Sequence, residues 1–115
     1  MARYVPVADL GDIAPGELLR VELGAALVCL ANVDGQIYAF DDDCPHINGP
    51  LDEGELAGCV LTCPIHLARF DVRTGQVLRG PARDNLRMYP VRIEGSQILL
   101  AAPEAESDER ERAAP

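Results

Sequence analysis

The sequence predicts an all-β domain, and three observations carry that reading. Short apolar stretches of strand length recur between turn residues; Ala25 to Ala31 is a continuous apolar run; and Asp34-Gly35 and Gly95-Ser96 sit where hairpins would reverse the chain. The first strand is Tyr4 to Val7, ended by the cluster Asp9-Leu10-Gly11-Asp12. Glu17 to Leu23 alternates from Leu19 onward, and Gly24 breaks it. The apolar run that follows suits a strand covered on both faces. Asp34-Gly35 then turns the chain into Gln36 to Phe40, placing Ile37 and Ala39 opposite Tyr38 and Phe40.

Between residues 41 and 83, roughly, Gly, Pro and Asp become denser and apolar runs shorten. Val60 to Cys63 and Arg69 to Val72 read as short strands there, and Thr74-Gly75 turns into Gln76 to Leu78. Leu86 to Glu94 and Gln97 to Ala101 close the domain as a hairpin. The organisation is one domain over residues 1–103 with a loop-rich insert at about 41–83. Residues 104–115, rich in Glu and Arg, have the composition of a disordered acidic tail.

At 115 residues with 48% hydrophobic and 4% aromatic side chains, the chain holds one modest core, the kind that gains from a bound metal. No apolar run approaches transmembrane length, and Met1-Ala2-Arg3-Tyr4 is unlike a secretory signal, so the expectation is a cytoplasmic protein without membrane contact. A net charge of -9 argues against nucleic acid and suits a basic or mixed-charge protein partner, or simple solubility.

The insert holds the chemistry. Cys44-Pro45-His46 and Cys63-Pro64-Ile65-His66 form a C-x-H…C-x2-H pattern, with sixteen residues between His46 and Cys63. Thiolate and imidazole at close spacing point to metal. Structural zinc is one candidate, but classical fingers pair Cys with Cys and His with His, whereas both pairs here are mixed. Mixed pairs in two loops suit a two-metal centre, with Cys44 and Cys63 on one iron and His46 and His66 on the other.

Residues 44–66 match the signature of the Rieske 2Fe–2S proteins, and Ala68-Arg69-Phe70-Asp71-Val72-Arg73-Thr74-Gly75 resembles the segment that follows it in soluble Rieske ferredoxins. The likeness extends to Leu51-Asp52-Glu53-Gly54 and the closing strands. It implies an antiparallel β-sandwich scaffold with a small cluster-binding subdomain inserted, and one 2Fe–2S cluster on Cys44, His46, Cys63 and His66. It further implies a monomeric electron carrier between an NAD(P)H-dependent ferredoxin reductase and a terminal aromatic-ring-hydroxylating Rieske oxygenase. The small Rieske subunit of an assimilatory nitrite reductase-like enzyme, or a zinc-stabilised binding module, is the alternative.

Departures from the family pattern narrow the type. High-potential members carry a disulfide between the ligand loops; Gly49 and Ile65 stand at those positions. They also carry a serine and a tyrosine where this chain has Ala68 and Phe70, so a low-potential cluster is expected. Leu67 replaces a usual glycine, which bears on the local turn. Gly80-Pro81 is expected to cover the cluster or to form an ordinary turn, and docking is expected around Ile47, Asn48, Leu67 and Pro81.

Other residues receive plainer readings. Cys29 is core, Cys59 a small buried side chain in the strand entering the second loop, and Tyr38 and Tyr89 packing residues. Asp41-Asp42-Asp43 reads as a solvated loop, with partner docking as the other option. Two histidines leave none for a mononuclear oxygenase iron, and no dinucleotide fingerprint is present, so the chain reads as an electron carrier and not an enzyme.

Overall fold

A computed structural model describes residues 3–42, 51–63, 68–79 and 85–101. Its strands are β1 (Tyr4–Asp9), β2 (Leu18–Leu23), β3 (Ala26–Val33), β4 (Gln36–Asp41), β5 (Glu55–Ala57), β6 (Val60–Thr62), β7 (Arg69–Asp71), β8 (Gln76–Arg79), β9 (Met88–Tyr89), β10 (Val91–Glu94) and β11 (Gln97–Ala101). They form three antiparallel sheets, ordered β1-β11-β10, β2-β3-β4-β9 and β5-β6-β7-β8. Among the described residues, no helix is long and apolar enough to cross a membrane.

The continuous apolar run lies at the centre, as its composition predicts. Val28 and Leu30 of β3 pack in one core with Ile37 and Ala39 of β4 and with Ile98 and Leu100 of β11. Cys29 and Ala31, on the other face, share a second core with Phe40, Leu61, Phe70 and Val72. The β2-β3-β4-β9 sheet is therefore the middle layer. Asp34 and Gly35 both adopt positive φ, 53° and 93°, as a two-residue hairpin with this sequence requires. Asn32, buried beside it, accepts from the Gly35 N–H at 2.7 Å and donates to the Ile13 carbonyl at 2.9 Å.

Two expectations need correction. Leu86 to Glu94 is not one strand, because Pro90 divides it. Met88 and Tyr89 pair with β4, while Val91 to Glu94 pair with β11. Proline has no N–H to continue a ladder, but its carbonyl accepts from Ala101 N–H at 3.2 Å, and the chain passes there from the middle sheet to an outer one. The second correction is β5, which sequence reading missed. Its three residues present only Leu56 to the interior, half-buried, so they carry almost no periodic signal.

Candidate metal centre

Of the four expected ligands, Cys63 lies among the described residues, while Cys44, His46 and His66 lie outside them. Cys63 follows β6 directly and is completely buried, as a free cysteine. Its N–H donates to the Ala68 carbonyl at 2.7 Å. That bond extends the β6–β7 pairing and sets the two ends between which residues 64–67 must run.

The chain ends flanking the first ligand pair are tied to the middle sheet. Asp41 and Asp42 donate their N–H groups to the Arg87 and Leu27 carbonyls, both at 3.0 Å. The Asp42 carboxylate is wholly buried, accepts from Arg20 Nε, and accepts from the Asp52 N–H at 2.7 Å. Arg20, on β2, thus connects the residue before the first ligand segment to the residues after it. Its guanidinium pKa is raised by the hydrogen bond and charge of Asp42. Asp52 Oδ1 lies 3.3 Å from Arg20 Nη2 but has no hydrogen-bond partner among the described residues. Burial, then the neighbouring Asp42, raises the Asp52 pKa above the usual carboxylate value. The expectation of a solvated or docking run fails at Asp41 and Asp42: Asp41 accepts from the Tyr89 hydroxyl, and Asp42 is interior. Asp43 lies outside the described residues.

Residues 80–84 are flanked by a third tie. Asn85 Oδ1 accepts from the Val77 N–H at 3.0 Å, and Leu86 N–H donates to the Gly75 carbonyl at 2.7 Å. Gly75 has φ +83°, and a Cβ there would meet the Leu86 carbonyl oxygen at 2.7 Å, so only glycine permits this approach. Leu51, Cys63, Ala68 and Leu86, which stand at or beside the ends of these segments, all belong to one apolar core. Cys63 and residues flanking all three segments, two of which carry the other three expected ligands, Cys44, His46 and His66, are therefore fixed on one side of the middle sheet.

The remaining cysteines fall away as ligands. Cys29 is core, as expected, and burial, reinforced by the Asp42 and Asp52 charges, pushes its thiol pKa far up, which keeps it protonated. Cys59 is half-buried in the turn between β5 and β6, not a buried strand residue; its carbonyl accepts from Val72 N–H at 2.9 Å. Tyr89 is buried, and Tyr38 packs against the second core, as expected. Ala68 and Phe70 are completely buried, and neither side chain carries a hydroxyl. Among the described residues, no group of three metal-ligating side chains converges, so Cys63 carries the test of fit. It passes: a thiol with no disulfide partner, at zero exposure, suits a thiolate whose desolvation a metal offsets. Sequence reading missed Arg20, although a signal existed: it and Arg3 are the only arginines before residue 63, and no lysine is present there.

Residues 3–90 match the model of the Rieske [2Fe-2S] domain. The chain belongs to the Rieske family. A Rieske relative, the 3-phenylpropionate/cinnamic acid dioxygenase ferredoxin subunit of Shigella boydii serotype 4 (strain Sb227), is 42% identical over 88% of this chain and 92% of its own length. The biphenyl 2,3-dioxygenase ferredoxin component of Rhodococcus jostii (strain RHA1) is 40% identical over 82% of this chain and 88% of its own. A solved complex of reduced oxygenase and oxidized ferredoxin in carbazole 1,9a-dioxygenase contains a chain with TM-score 0.80 and 33% identity, over 85% of this Rieske chain and 92% of that one. The antiparallel, nearly helix-free architecture expected from the resemblance is thereby borne out.

Proposed function

We propose that this Rieske protein is the ferredoxin of an aromatic-ring-hydroxylating dioxygenase system, carrying one electron at a time from a ferredoxin reductase to a terminal oxygenase. The observation that carries the reading is the convergence of the ligand-segment ends on one core, with Cys63 fully buried there. Cys44 and Cys63 hold the inner iron; His46 and His66 hold the outer one. When bound, the cluster supplies a one-electron store that changes by a single unit of charge. The chain's own residues set its surroundings. Ala68 and Phe70 offer no hydroxyl donors, which supports a potential at the low end of the Rieske range, about -150 mV. Residues 1–103 form the domain, which acts as a monomer, and residues 104–115 are an appended acidic tail. The ferredoxin-component relatives support a carrier over the nitrite reductase subunit and over a zinc module.

Electron paramagnetic resonance of the dithionite-reduced protein tests the reading. The expected result is a rhombic signal with average g below that of all-cysteine 2Fe–2S centres. A silent, metal-replete sample overturns it. His66→Cys is expected to change the spectrum and lower the potential; no change in either removes His66 from the ligand set.

A further inference from the structure

The net charge of -9 conceals a division along the chain. Residues 1–62 hold eleven carboxylates and two arginines, whereas residues 63–92 hold six arginines and two aspartates. The ladder brings two of those arginines together: Arg69 of β7 stands in direct register with Arg79 of β8, and both are exposed. Like charges directly opposite one another weaken a sheet. Among the described residues, neither has a carboxylate within ion-pair distance, whereas Arg73 nearby pairs with Asp71 at 2.9 Å.

The same ladder is irregular at this point. Arg69 faces Arg79 and Phe70 faces Val77, which leaves Leu78 as an extra residue and makes a bulge in β8. Simple alternation would put Arg79 on the inner side with Val77. The bulge instead leaves consecutive residues facing solvent, Leu78 at 51% exposure and Arg79 beside it. β8 is also the edge strand of its sheet. An exposed leucine and arginine on the edge strand thus adjoin a second exposed guanidinium on the neighbouring strand β7, neither arginine neutralised among the described residues, with Arg69 three residues after His66 in sequence. This arrangement is unfavourable in the free protein and favourable once an acidic surface covers it.

We propose that Arg69, Leu78 and Arg79 form a docking surface for a redox protein whose face presents carboxylates around an apolar contact. The proposal rests on the electron-carrier reading, and at this edge it reverses the basic partner that overall charge suggests.

The test uses the full, cluster-loaded chain, reduced with dithionite and followed by stopped flow. It is oxidised by ferric cytochrome b5, an acidic protein, or ferric cytochrome c, a basic one. In each case one electron leaves the reduced chain and converts ferric haem iron to ferrous, with no proton exchanged. With cytochrome b5 the rate is expected to fall as salt rises, although both proteins are net acidic. Arg69→Glu with Arg79→Glu is expected to slow it about tenfold at low salt, without slowing transfer to cytochrome c. Arg69→Gln with Arg79→Gln gives the same direction with a smaller effect, and provides the test if charge reversal impairs folding. Leu78→Ser lowers the cytochrome b5 rate at high salt and leaves the salt slope unchanged. Arg92→Gln, on β10 in a different sheet, removes one positive charge, half of what the double Gln variant removes, without moving the slope. A cytochrome b5 rate that rises with salt and ignores both double variants overturns the surface, as does equal slowing with both cytochromes. A wild-type protein without the Rieske signal refutes the carrier itself; a normal signal with unmoved slopes refutes only the docking surface.

Discussion

The middle sheet and the β5-β6-β7-β8 sheet are both four-stranded and antiparallel, yet they are held together differently. β2, β3 and β4 run six, eight and six residues, and β3 and β4 send alternate side chains into two cores. The strands of the smaller sheet run three, three, three and four residues, and the only fully buried side chains on them are Leu61 and Phe70. What such short strands lack in burial is supplied by particular contacts: Cys63 with Ala68, Val72 with Cys59, Leu86 with Gly75. A long strand tolerates the loss of one contact because its neighbours maintain register. The sheet that leads into Cys63 has few neighbours to spare.

The sharpest way to break this contrast is Phe70→Ala. It empties the largest buried side chain of the small sheet, and a loss of about 4 kcal/mol is expected by chemical denaturation, with loss of colour. Val28→Ala, in the doubly covered strand, is expected to cost about 2 kcal/mol and keep the colour. Equal costs and equal bleaching would mean the two sheets do not differ in tolerance.

Glycines offer a second comparison. A Cβ on Gly54 would lie 2.3 Å from the Thr62 carbonyl oxygen, a backbone atom that cannot turn aside. Gly54→Ala is expected to lose about 2 kcal/mol through displacement of the β5–β6 hairpin. Gly95 has φ +62° but open space around it, so Gly95→Ala is expected to lose about 1 kcal/mol, the cost of left-handed backbone alone. Thermal or urea unfolding of both variants decides the order.

The Arg20-Asp42-Asp52 tie joins the two regions and makes stability depend on pH. The folded pKa of Asp52 is raised, so ionising it disfavours the folded state. That penalty is absent below the unfolded pKa and grows as pH rises through the folded one. Asp52→Asn is therefore expected to match wild type near about pH 3 and to melt higher at about pH 7. A gain that is constant across this range would place its origin elsewhere. Asp42→Ala acts in the opposite direction: it leaves the Asp52 N–H without its acceptor and is expected to cost about 1–2 kcal/mol.

The same division decided what the sequence disclosed. The runs around β2, β3 and β4 were legible because each long strand repeats its burial pattern several times. The C-x-H…C-x2-H pairing was legible because metal ligation needs particular atoms at particular spacing. β5 was not, since one half-buried leucine sets no period, and the break at Pro90 was not, since it depends on which sheet each half joins. Asp42 misled because a run of aspartates is usually solvated; its burial is dictated by Arg20, twenty-two residues away. Long-range pairing of single charges leaves no local periodicity to read.

Arg79→Glu gives the smallest expected change in stability and separates stability from function. It replaces the like-charged cross-strand pair with an opposite one, so the small sheet is expected to gain roughly 0.5 kcal/mol, seen as a rise of a few degrees in Tm. The same substitution removes one of the two guanidinium groups offered to an acidic partner and puts a carboxylate in its place. Transfer to cytochrome b5 at low salt is therefore expected to slow while the protein melts higher. A residue selected for the fold alone would not oppose Arg69 with a second arginine, because most charge-neutralising alternatives at that position give a steadier ladder. If Arg79→Glu instead melts lower and docks unchanged, the pair belongs to the scaffold, and the exposed edge of β8 has no claim on a partner.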